Sequence, residues 1–472
     1  MLLSELLKGI DVLCEYKDRE IADVTDKTSS ISDGCAFVCV KGARFDGHTF
    51  AEKALQQGAR AVIVTEDTGL KEQVIVNNTR EAYAIMCKNL YDNAVEKLTV
   101  IGITGTNGKT TTAFIIKDIL KALGIESGLI GTVKNMVGEK EFATELTTPD
   151  PYDMHKLFKM MVDDGIKYCV METSSQAFHQ MRLAGIHFKT GVFTNLTQDH
   201  LDYHGTIEEY KNCKKTLFYN SDNIILNADD EASEFMAEGI KGNIKYYGVN
   251  SASDYKAENT ELFADRVEYN LNGGSVVFNI PGDFSIYNSL SAISAVCSLG
   301  FDFSDVIRAI ATANAVKGRI ELLKTNTDFS VIIDYAHTPD GLEKAIQAVR
   351  GFTKGRVITL FGCGGDRDKT KRPKMGRMAT DLSDIVIITT DNPRTEDPDV
   401  IIEEILIGTV GSKAEVITVT DRSEAIKKAL SIAKKDDAIL LAGKGHETYQ
   451  VIGKERVHYD EREIVAEALN EI

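Results

Sequence analysis

The chain has 472 residues, of which 43% are hydrophobic, and its formal net charge at pH 7 is −17. A chain of this length exceeds what one hydrophobic core organises, so about three domains are expected. The negative charge opposes nonspecific binding to nucleic acid or to an anionic membrane, and an anionic substrate would need a local positive site.

Two further features bear on compartment and on metal content. No stretch approaches the roughly 20 apolar residues of a membrane span, and the N-terminal segment MLLSELLKGIDVLCEYKDRE turns acidic too early for a signal peptide. The eight cysteines include no CxxC pair, so we expect neither a disulfide framework nor structural zinc. We therefore expect a cytoplasmic enzyme with no membrane or nucleic-acid partner. We also expect it to be a monomer.

Three blocks of predicted elements follow one another along the chain. Residues 1–97 mix short strands and helices and predict a small α/β domain. In residues 98–316 strand and helix patterns alternate, which is typical of a parallel sheet with crossover helices. Residues 317–472 contain five strand-like runs separated by helical lengths and predict a Rossmann-like domain. The predicted fold is α/β in three domains, with a central P-loop ATPase-like sheet.

The segment VIGITGTNGKTTT in the central block predicts a nucleotide site. A β-rich run leads into a glycine turn, and Lys109 with Thr110 opens a helix. In such a turn, backbone amides and the helix N-terminus bind phosphate, the lysine reaches the β and γ oxygens, and the threonine can bind Mg²⁺. Ile103 stands where the strict P-loop has its first glycine, so the signal is the shorter GTNGKT. The residues of this turn that we expect to bind ATP are Gly105, Thr106, Asn107, Gly108, Lys109, Thr110 and Thr111.

The segment TTDNPRTEDP in the C-terminal block follows a run of four β-branched residues, 385–388. Such a run predicts a buried parallel strand, and ligand sites in open α/β sheets lie beyond the ends of such strands. Pro393 limits the movement of the loop that carries Arg394, and a fixed guanidinium is a planar fork suited to a carboxylate. The alternative is an ordinary Asp/Pro-rich turn with Arg394 in a surface salt bridge.

Further stretches complete a family pattern, in the order GTNGKTTT, TTPD, METSSQAFHQMR, TNLTQDHLDYHG, NADD, DYAHTPD, GCGGDRDKTKRP, DNPR and GKGHE. Over essentially its whole length the chain resembles the Mur ligases, the ATP-dependent amide-forming enzymes of peptidoglycan precursor synthesis. The resemblance implies an N-terminal UDP-substrate domain, a central ATPase domain and a C-terminal amino-acid domain. It also implies that meso-diaminopimelate is joined to UDP-N-acetylmuramoyl-L-alanyl-D-glutamate through an acyl phosphate, while ATP is converted to ADP and phosphate.

Amide formation from a carboxylate and ATP brings anions together, so cations must lie between them. Lys109, Glu172, His200 and Lys214 are the catalytic residues that the resemblance implies. The implied Mg²⁺ ligands are Thr110, Glu172, His200 and Lys214, the last as a carbamate formed with CO₂. Neighbouring Lys215 leaves the position of the carbamylated lysine open by one residue.

Three sets of binding residues are carried over by the same resemblance. Beyond the glycine turn, ATP is expected to contact Asn288, Arg319 and Asp334, with Asn288 near adenine. The UDP-substrate is expected to contact Thr28, Thr147, Thr148, Ser174, Gln180 and Arg182. The amino acid is expected to contact Arg367, Asp391, Asn392, Arg394, Gly443 and Glu447, with Glu447 holding its distal ammonium. Two positions depart from the family form: KTS replaces Asp-Ser-Arg at residues 27–29, and Lys317 replaces a proline.

Other functions share parts of this pattern. The same ligase could use L-lysine or another diamino acid. A folylpolyglutamate-synthetase-like ligase would share the glycine loop and the ATP chemistry but should lack DNPR and the series from DYAHTPD to GKGHE. An ATP-driven switch would hydrolyse ATP without requiring an amino acid, and it would leave Arg394 without a function.

Overall fold

The structure is a computed structural model. It describes residues 1–42, 45–199, 201–263, 265–313 and 316–471, without the side chains of residues 201, 202 and 471. It has two compact units, and each is described by itself. The first comprises Met1–Tyr247 and Ser294–Asp302, and the second comprises Gly248–Ile293 and Phe303–Ile472. Within the described ranges, no helix combines the length and the apolar character needed to cross a membrane.

The first unit begins with a small parallel sheet. Its strands, in spatial order, are β1 (Val24–Thr25), β2 (Ala36–Val38), β3 (Ala61–Val64) and β4 (Gln73–Ile75). Its helices are α1 (Leu3–Leu6), α2 (Ala51–Gln56) and α3 (Thr79–Leu90). Every residue of β2 and β3 is buried, as expected for strands covered on both faces. Helix α3 is capped by Asn78, whose side-chain oxygen accepts a hydrogen bond from the Arg80 N–H at 2.9 Å.

A larger sheet occupies the rest of the first unit. Its strands are β5 (Thr99–Thr104), β6 (Ser127–Ile130), β7 (Asn135–Val137), β8 (Lys140–Phe142), β9 (Tyr168–Glu172), β10 (Phe188–Phe193), β11 (Ser221–Asn227) and β12 (Asn243–Gly248). Its helices are α4 (Lys109–Ala122), α5 (Pro151–Asp163), α6 (Ser175–His179), α7 (Leu201–His204), α8 (Ile207–Tyr219) and α9 (Ser233–Ala237). The spatial order is β12-β11-β10-β5-β9-β6-β7-β8, parallel from β12 to β6 and antiparallel thereafter. The carboxyl ends of β5, β9 and β10 therefore meet at one edge.

The second unit begins with an antiparallel meander of β13 (Tyr255–Leu262), β14 (Val267–Leu271) and β15 (Gly274–Phe278). Two helices follow, α10 (Asp283–Ser298) and α11 (Phe303–Ile310). The last residues of α10 are counted with the first unit. Short 3₁₀ segments elsewhere in the chain are Thr28–Ser30, Gly47–Phe50, Ala94–Lys97 and Ile407–Thr409.

Another mostly parallel sheet forms the core of the C-terminal part. Its strands are β16 (Glu321–Leu322), β17 (Ser330–Asp334), β18 (Val357–Phe361), β19 (Ile385–Ile388), β20 (Glu415–Thr418) and β21 (Ala438–Ala442), followed by the hairpin β22 (Tyr449–Ile452) and β23 (Glu455–His458). Its helices are α12 (Pro339–Phe352), α13 (Lys371–Leu382), α14 (Pro398–Leu406), α15 (Arg422–Ile432) and α16 (Glu461–Glu471). The order is β16-β17-β21-β18-β19-β20, parallel except for β16.

This sheet is buried on both faces. Alternate residues of β17 enter different apolar clusters, with Ile332 in one and Val331 and Ile333 in the other. The five strand-like runs predicted from the sequence are confirmed as β17 to β21. Because β21, β18 and β19 are neighbours, the loops that follow them lie side by side at one edge.

Candidate functional site

The loop after β5 has the geometry of a phosphate-binding turn. Gly105 has φ +146° and Gly108 has φ +84°, both in regions that favour glycine. A Cβ added at Gly105 would lie 1.9 Å from the hydroxyl oxygen of Thr194, the residue after β10, so the chain there approaches this turn too closely for a side chain. The Lys109 ammonium folds back over the loop and donates to the carbonyl oxygens of Gly105 at 2.8 Å and Thr106 at 2.9 Å. The predicted strand, turn and helix are therefore confirmed.

The end of β9 places a carboxylate beside this turn. Glu172 is fully buried and accepts a hydrogen bond from the Thr110 hydroxyl at 2.8 Å. It also accepts from the Thr132 N–H at 2.8 Å and the Thr132 hydroxyl at 3.0 Å. Oxygen donors of this kind suit Mg²⁺, so the donor chemistry of Thr110 and Glu172 fits that ion.

A second lysine reaches the same loop from α8. Lys214 is buried, and its ammonium donates to the Gly105 carbonyl oxygen at 2.8 Å and lies 4.2 Å from the centre of the Tyr210 ring. Burial, reinforced by the positive charge of Lys109, lowers the pKa of Lys214 well below its ordinary value. The ammonium of Lys215 instead lies 4.3 Å from the centre of the Phe235 ring. The sequence left open which of these two lysines is the carbamylation site. Of the two, Lys214 contacts the glycine loop and Lys215 does not.

One predicted metal ligand, His200, lies outside the described residues. Among the residues that are described, no group of three or more His, Cys, Asp or Glu side chains forms a metal site. Of the predicted Mg²⁺ ligands, Thr110, Glu172 and Lys214 are therefore described, and Thr110 and Glu172 are joined by a hydrogen bond.

The predicted UDP-substrate residues of the central sheet lie around the N-terminus of α6. The Thr148 hydroxyl donates to the Glu172 carbonyl oxygen at 2.9 Å and lies 3.2 Å from the Ser174 hydroxyl oxygen. The Arg182 guanidinium donates to the Thr148 carbonyl oxygen at 2.8 Å and to the Gln180 side-chain oxygen. The Thr147 and Thr132 hydroxyl oxygens are 3.0 Å apart, which connects this cluster to Glu172.

The sixth predicted UDP-substrate residue, Thr28, lies in the small N-terminal sheet region. Its side chain is exposed in a 3₁₀ segment. The preceding residue, Lys27, lies 3.5 Å from Asp150, and Asp150 lies 3.4 Å from Arg182. Through these two ion pairs, the segment that contains Thr28 is linked to the cluster of the other five predicted UDP-substrate residues.

The second unit contains the remaining predicted nucleotide contacts. Asp334, at the end of β17, accepts hydrogen bonds from the N–H groups of Ile320 and Ala336, both at 2.8 Å. Burial raises the pKa of Asp334, although Arg319 opposes that change. Arg319 stacks on Tyr335, with its guanidinium carbon 5.0 Å from the ring centre. Asn288 is buried in α10.

The loops after β18 and β19 hold Arg394 in place. Arg394 has φ +51°, a left-handed conformation that is unfavourable for arginine. Its guanidinium donates to the Gly365 carbonyl oxygen at 2.8 Å, and its N–H donates to the Val451 carbonyl oxygen at 3.0 Å. A Cβ added at Gly365 would lie 1.9 Å from the Pro393 carbonyl oxygen, so glycine permits the close approach of the two loops. Arg394 is therefore fixed beyond the strand end, as predicted.

A buried polar cluster lies beside Arg394. Asn392 donates to the Glu447 carboxylate at 3.0 Å and accepts from Lys444 at 3.0 Å. The Lys444 ammonium is also 3.3 Å from the Asp391 carboxylate and 3.5 Å from that of Glu447. Gly443, at φ +113°, begins the segment that carries Lys444 and Glu447. The structure thus brings together Asp391, Asn392, Gly443 and Glu447.

Two features of this region were not anticipated from the sequence. Lys444 was missed, although it follows β21 within the motif GKGHE, which was the available signal. Arg367 is exposed, and its guanidinium donates to the carbonyl oxygen of neighbouring Asp366 at 3.1 Å, so it stands apart from the buried cluster.

Comparison with known proteins shows which family has this arrangement. Three family models match: "Mur ligase family, catalytic domain" at residues 20–96, "Mur ligase middle domain" at residues 103–296, and "Mur ligase, glutamate ligase domain" at residues 318–445. A curated relative from Clostridium perfringens, named UDP-N-acetylmuramoyl-L-alanyl-D-glutamate--2,6-diaminopimelate ligase, is 44% identical over 484 aligned residues, covering 99% of both chains.

The chain belongs to the Mur ligase family.

Solved structures of Mur ligases share its fold. A structure of the same name as the clostridial relative is 29% identical, covers 96% of this chain and 95% of its own, and has a TM-score of 0.71. The MurF ligase from Thermotoga maritima in complex with ADP is 19% identical, with coverage of 95% and 97% and a TM-score of 0.62. Both the family resemblance and the predicted three-domain α/β fold are confirmed.

Proposed function

We propose that this Mur ligase joins meso-diaminopimelate to UDP-N-acetylmuramoyl-L-alanyl-D-glutamate, converting ATP to ADP and phosphate. The observation that carries the proposal is that the loop with the fixed guanidinium of Arg394 lies next to a cluster with two carboxylates, the buried Asp391 and the partly buried Glu447. An amino acid with both a second carboxylate and a second ammonium complements this arrangement. Full-length similarity to a curated ligase of that name supports it. We further propose that the enzyme acts in the cytoplasm as a monomer.

The reaction needs an activated carboxylate. A substrate carboxylate oxygen attacks the γ-phosphorus of ATP, ADP leaves, and an acyl phosphate forms. The amine of the amino acid then attacks the acyl carbon, and phosphate leaves with that carboxylate oxygen. We assign Lys109 to neutralise phosphate charge, because its ammonium already lies over the glycine loop. Backbone groups from Gly105 to Thr111 would hold the phosphates.

Mg²⁺ would be held by Thr110 and Glu172, whose oxygens are 2.8 Å apart, together with His200. When bound, the ion supplies positive charge that stabilises the phosphoryl oxygens. Lys214 is the proposed carbamate, because carbamylation requires a neutral amine and burial favours that form. Carbamylation would convert this amine into an anion and so add an oxygen ligand beside the glycine loop.

The UDP-substrate is proposed to bind the cluster around α6. Arg182 can pair with a carboxylate, and the hydroxyl groups of Thr147, Thr148 and Ser174 can bind peptide edges. Gln180 orients Arg182 through their hydrogen bond. The contacts of Thr28, Asn288, Arg319 and Asp334 stay predictions, as do the domain boundaries 1–97, 98–316 and 317–472.

The choice of amino acid follows from Arg394. L-Lysine lacks the second carboxylate and would leave this guanidinium without its anion, so discrimination of about 10⁴ is expected, as at other sites that lose a required polar partner. The proposed binding set is Arg367, Asp391, Asn392, Arg394, Gly443 and Glu447.

The proposal is tested by measuring ADP release and ligated product with meso-diaminopimelate, L-lysine or no amino acid. The variant Arg394→Ala should lose turnover with meso-diaminopimelate. The control variant Arg377→Ala, which changes an exposed arginine of α13, should keep it. If the unmodified enzyme turned over with lysine, the assignment as a ligase would stand, but the assignment of Arg394 as the residue that binds the second carboxylate would be refuted. ATP hydrolysis indifferent to any amino acid would instead indicate a switch.

A further inference from the structure

The buried ammonium of Lys444 lies at the centre of the cluster beside Arg394. Its side chain has 0% relative exposure. It donates to the Asn392 side-chain oxygen at 3.0 Å and to the Tyr449 carbonyl oxygen at 3.0 Å. The carboxylates of Asp391 and Glu447 lie 3.3 and 3.5 Å away. One cation therefore contacts three of the residues proposed to bind the amino acid.

The charges of this cluster do not cancel. Asp391 and Glu447 contribute two negative charges and Lys444 one positive charge, so the trio has a net charge of −1 when all three are ionised. Burial disfavours the Asp391 carboxylate, but Lys444 and Arg422 outweigh that effect and lower its pKa. Burial raises the pKa of Glu447, and Lys444 opposes this change. The remaining negative charge suits one incoming ammonium.

The same lysine also determines where the carboxylates lie. Asn392 accepts from Lys444 and donates to Glu447, which fixes Glu447 relative to the ammonium. The Asn392 oxygen accepts a second hydrogen bond, from the Val451 N–H at 2.9 Å. Because Arg394 donates its N–H to the Val451 carbonyl oxygen, the cluster is joined through this residue to the backbone of Arg394.

We infer that Lys444 is a positioning residue for amino-acid specificity: it holds Asp391, Asn392 and Glu447 as one receptor for the distal ammonium of the diamino acid. The inference rests on the proposed function. It assigns Lys444 no contact with the reacting atoms. Loss of its charge should therefore weaken recognition of the second amino group more than it slows bond formation.

The test compares two amino acids that differ at the distal amino group. Meso-diaminopimelate has it, and 2-aminopimelate keeps both carboxylates but lacks it. For each, kcat and KM are measured with the unmodified enzyme, with Lys444→Met, and with the exposed-lysine control Lys428→Met. Methionine has a similar length but no charge.

The preference for meso-diaminopimelate, expressed as a ratio of kcat/KM values, should fall about 10- to 100-fold in Lys444→Met, the range of one hydrogen bond to a charged group. Most of the loss should be in KM for meso-diaminopimelate, and Lys428→Met should match the unmodified enzyme. An equal loss for both amino acids would overturn the inference in favour of a purely structural lysine. A stronger preference would also overturn it, since Lys444 would then compete with the ligand.

Two measures keep the test decisive. If Lys444→Met does not fold, judged by circular dichroism, Lys444→Gln replaces it, because the amide can still donate to the Tyr449 carbonyl oxygen. If the unmodified enzyme shows no turnover with meso-diaminopimelate, the proposed function has failed. If it shows turnover but Lys444 variants keep the full preference, only the present inference has failed.

Discussion

Glu396 connects the loop of Arg394 to the loop after β18, and replacing it with glutamine should weaken amino-acid binding. Its carboxylate accepts two hydrogen bonds from the guanidinium of Arg372, both at 2.9 Å, and one from the Asp366 N–H at 2.5 Å. Arg372 is fully buried in α13. Since Arg394 has an unfavourable backbone conformation, contacts of this kind must keep its loop in place.

The size of the expected increase in KM follows from the charge of Glu396. Its hydrogen bonds with Arg372 lower the pKa of Glu396 from 4.5 to about 2. This shift corresponds to about 3 kcal/mol, which solvent screening near the surface reduces to about 2 kcal/mol. Because the pKa is lowered, this stabilisation is present above pH 4.5 and is lost as the pH falls towards 2. If all of this stabilisation of about 2 kcal/mol serves to hold the loop of Arg394 in place, Glu396→Gln raises KM for the amino acid by up to about 30-fold.

Steady-state kinetics with meso-diaminopimelate as the varied substrate measures this effect. The matched control is Glu404→Gln, because Glu404 also binds Arg372, at 2.6 Å, but lies in α14 rather than in the loop. We expect kcat to change less than about 3-fold in Glu396→Gln, since this residue does not contact the reacting atoms. An unchanged KM in Glu396→Gln, or an equal increase in Glu404→Gln, would refute this reasoning.

Three other predictions follow from buried groups. His155 is fully buried, its ring nitrogens have no hydrogen-bond partner among the described residues, and burial lowers its pKa to about 3. The folded state should therefore lose about 2 kcal/mol between pH 8 and pH 5, a loss that His155→Leu removes in urea unfolding curves; an unchanged pH dependence would contradict this. Labelled bicarbonate should give a carbamate ¹³C signal that disappears in Lys214→Met but persists in Lys215→Met, and the reverse would reassign the modification. Gly105→Ala should lower kcat/KM for ATP by at least about 30-fold, because the methyl group collides with Thr194 and the backbone becomes strained by about 2 kcal/mol; near-normal ATP kinetics would contradict the loop geometry.

The positions of several site residues could be predicted from the sequence because they follow strands directly. The end of a buried strand can be read from the sequence, because the apolar run stops where polar residues begin. In a parallel sheet, the carboxyl ends of neighbouring strands lie at one edge. The loop of Arg394 was predicted in this way, whereas Glu172, which also stands at the end of a strand, was predicted from the family resemblance. The glycine turn before Lys109 was equally accessible, since positive φ angles and a helix start leave local signatures.

The remaining contacts depend on pairings between distant residues. Two ion pairs join residues that are distant in sequence: Arg372 with Glu396 is partly buried and spans 24 residues, and Arg422 with Glu461 is buried and spans 39. No local pattern marks either partner. The burial of Lys214 could not be predicted from the sequence either, because a lysine on a helix is normally solvated. Arg367 stays a predicted site residue, and its exposed side chain makes no contact with the buried cluster among the hydrogen bonds of the described residues.

The most direct test of the central claim is an oxygen-transfer measurement. UDP-N-acetylmuramoyl-L-alanyl-D-glutamate labelled with ¹⁸O in its reacting carboxylate is incubated with ATP, Mg²⁺ and meso-diaminopimelate, and the released phosphate is analysed by mass spectrometry. An acyl phosphate intermediate predicts one ¹⁸O atom in each phosphate, formed in step with the ligated product and only when the amino acid is present. Unlabelled phosphate would show that water attacks ATP, which would contradict the assignment as a ligase. Phosphate release that does not depend on meso-diaminopimelate would also contradict it, because no amide bond would then be required for turnover.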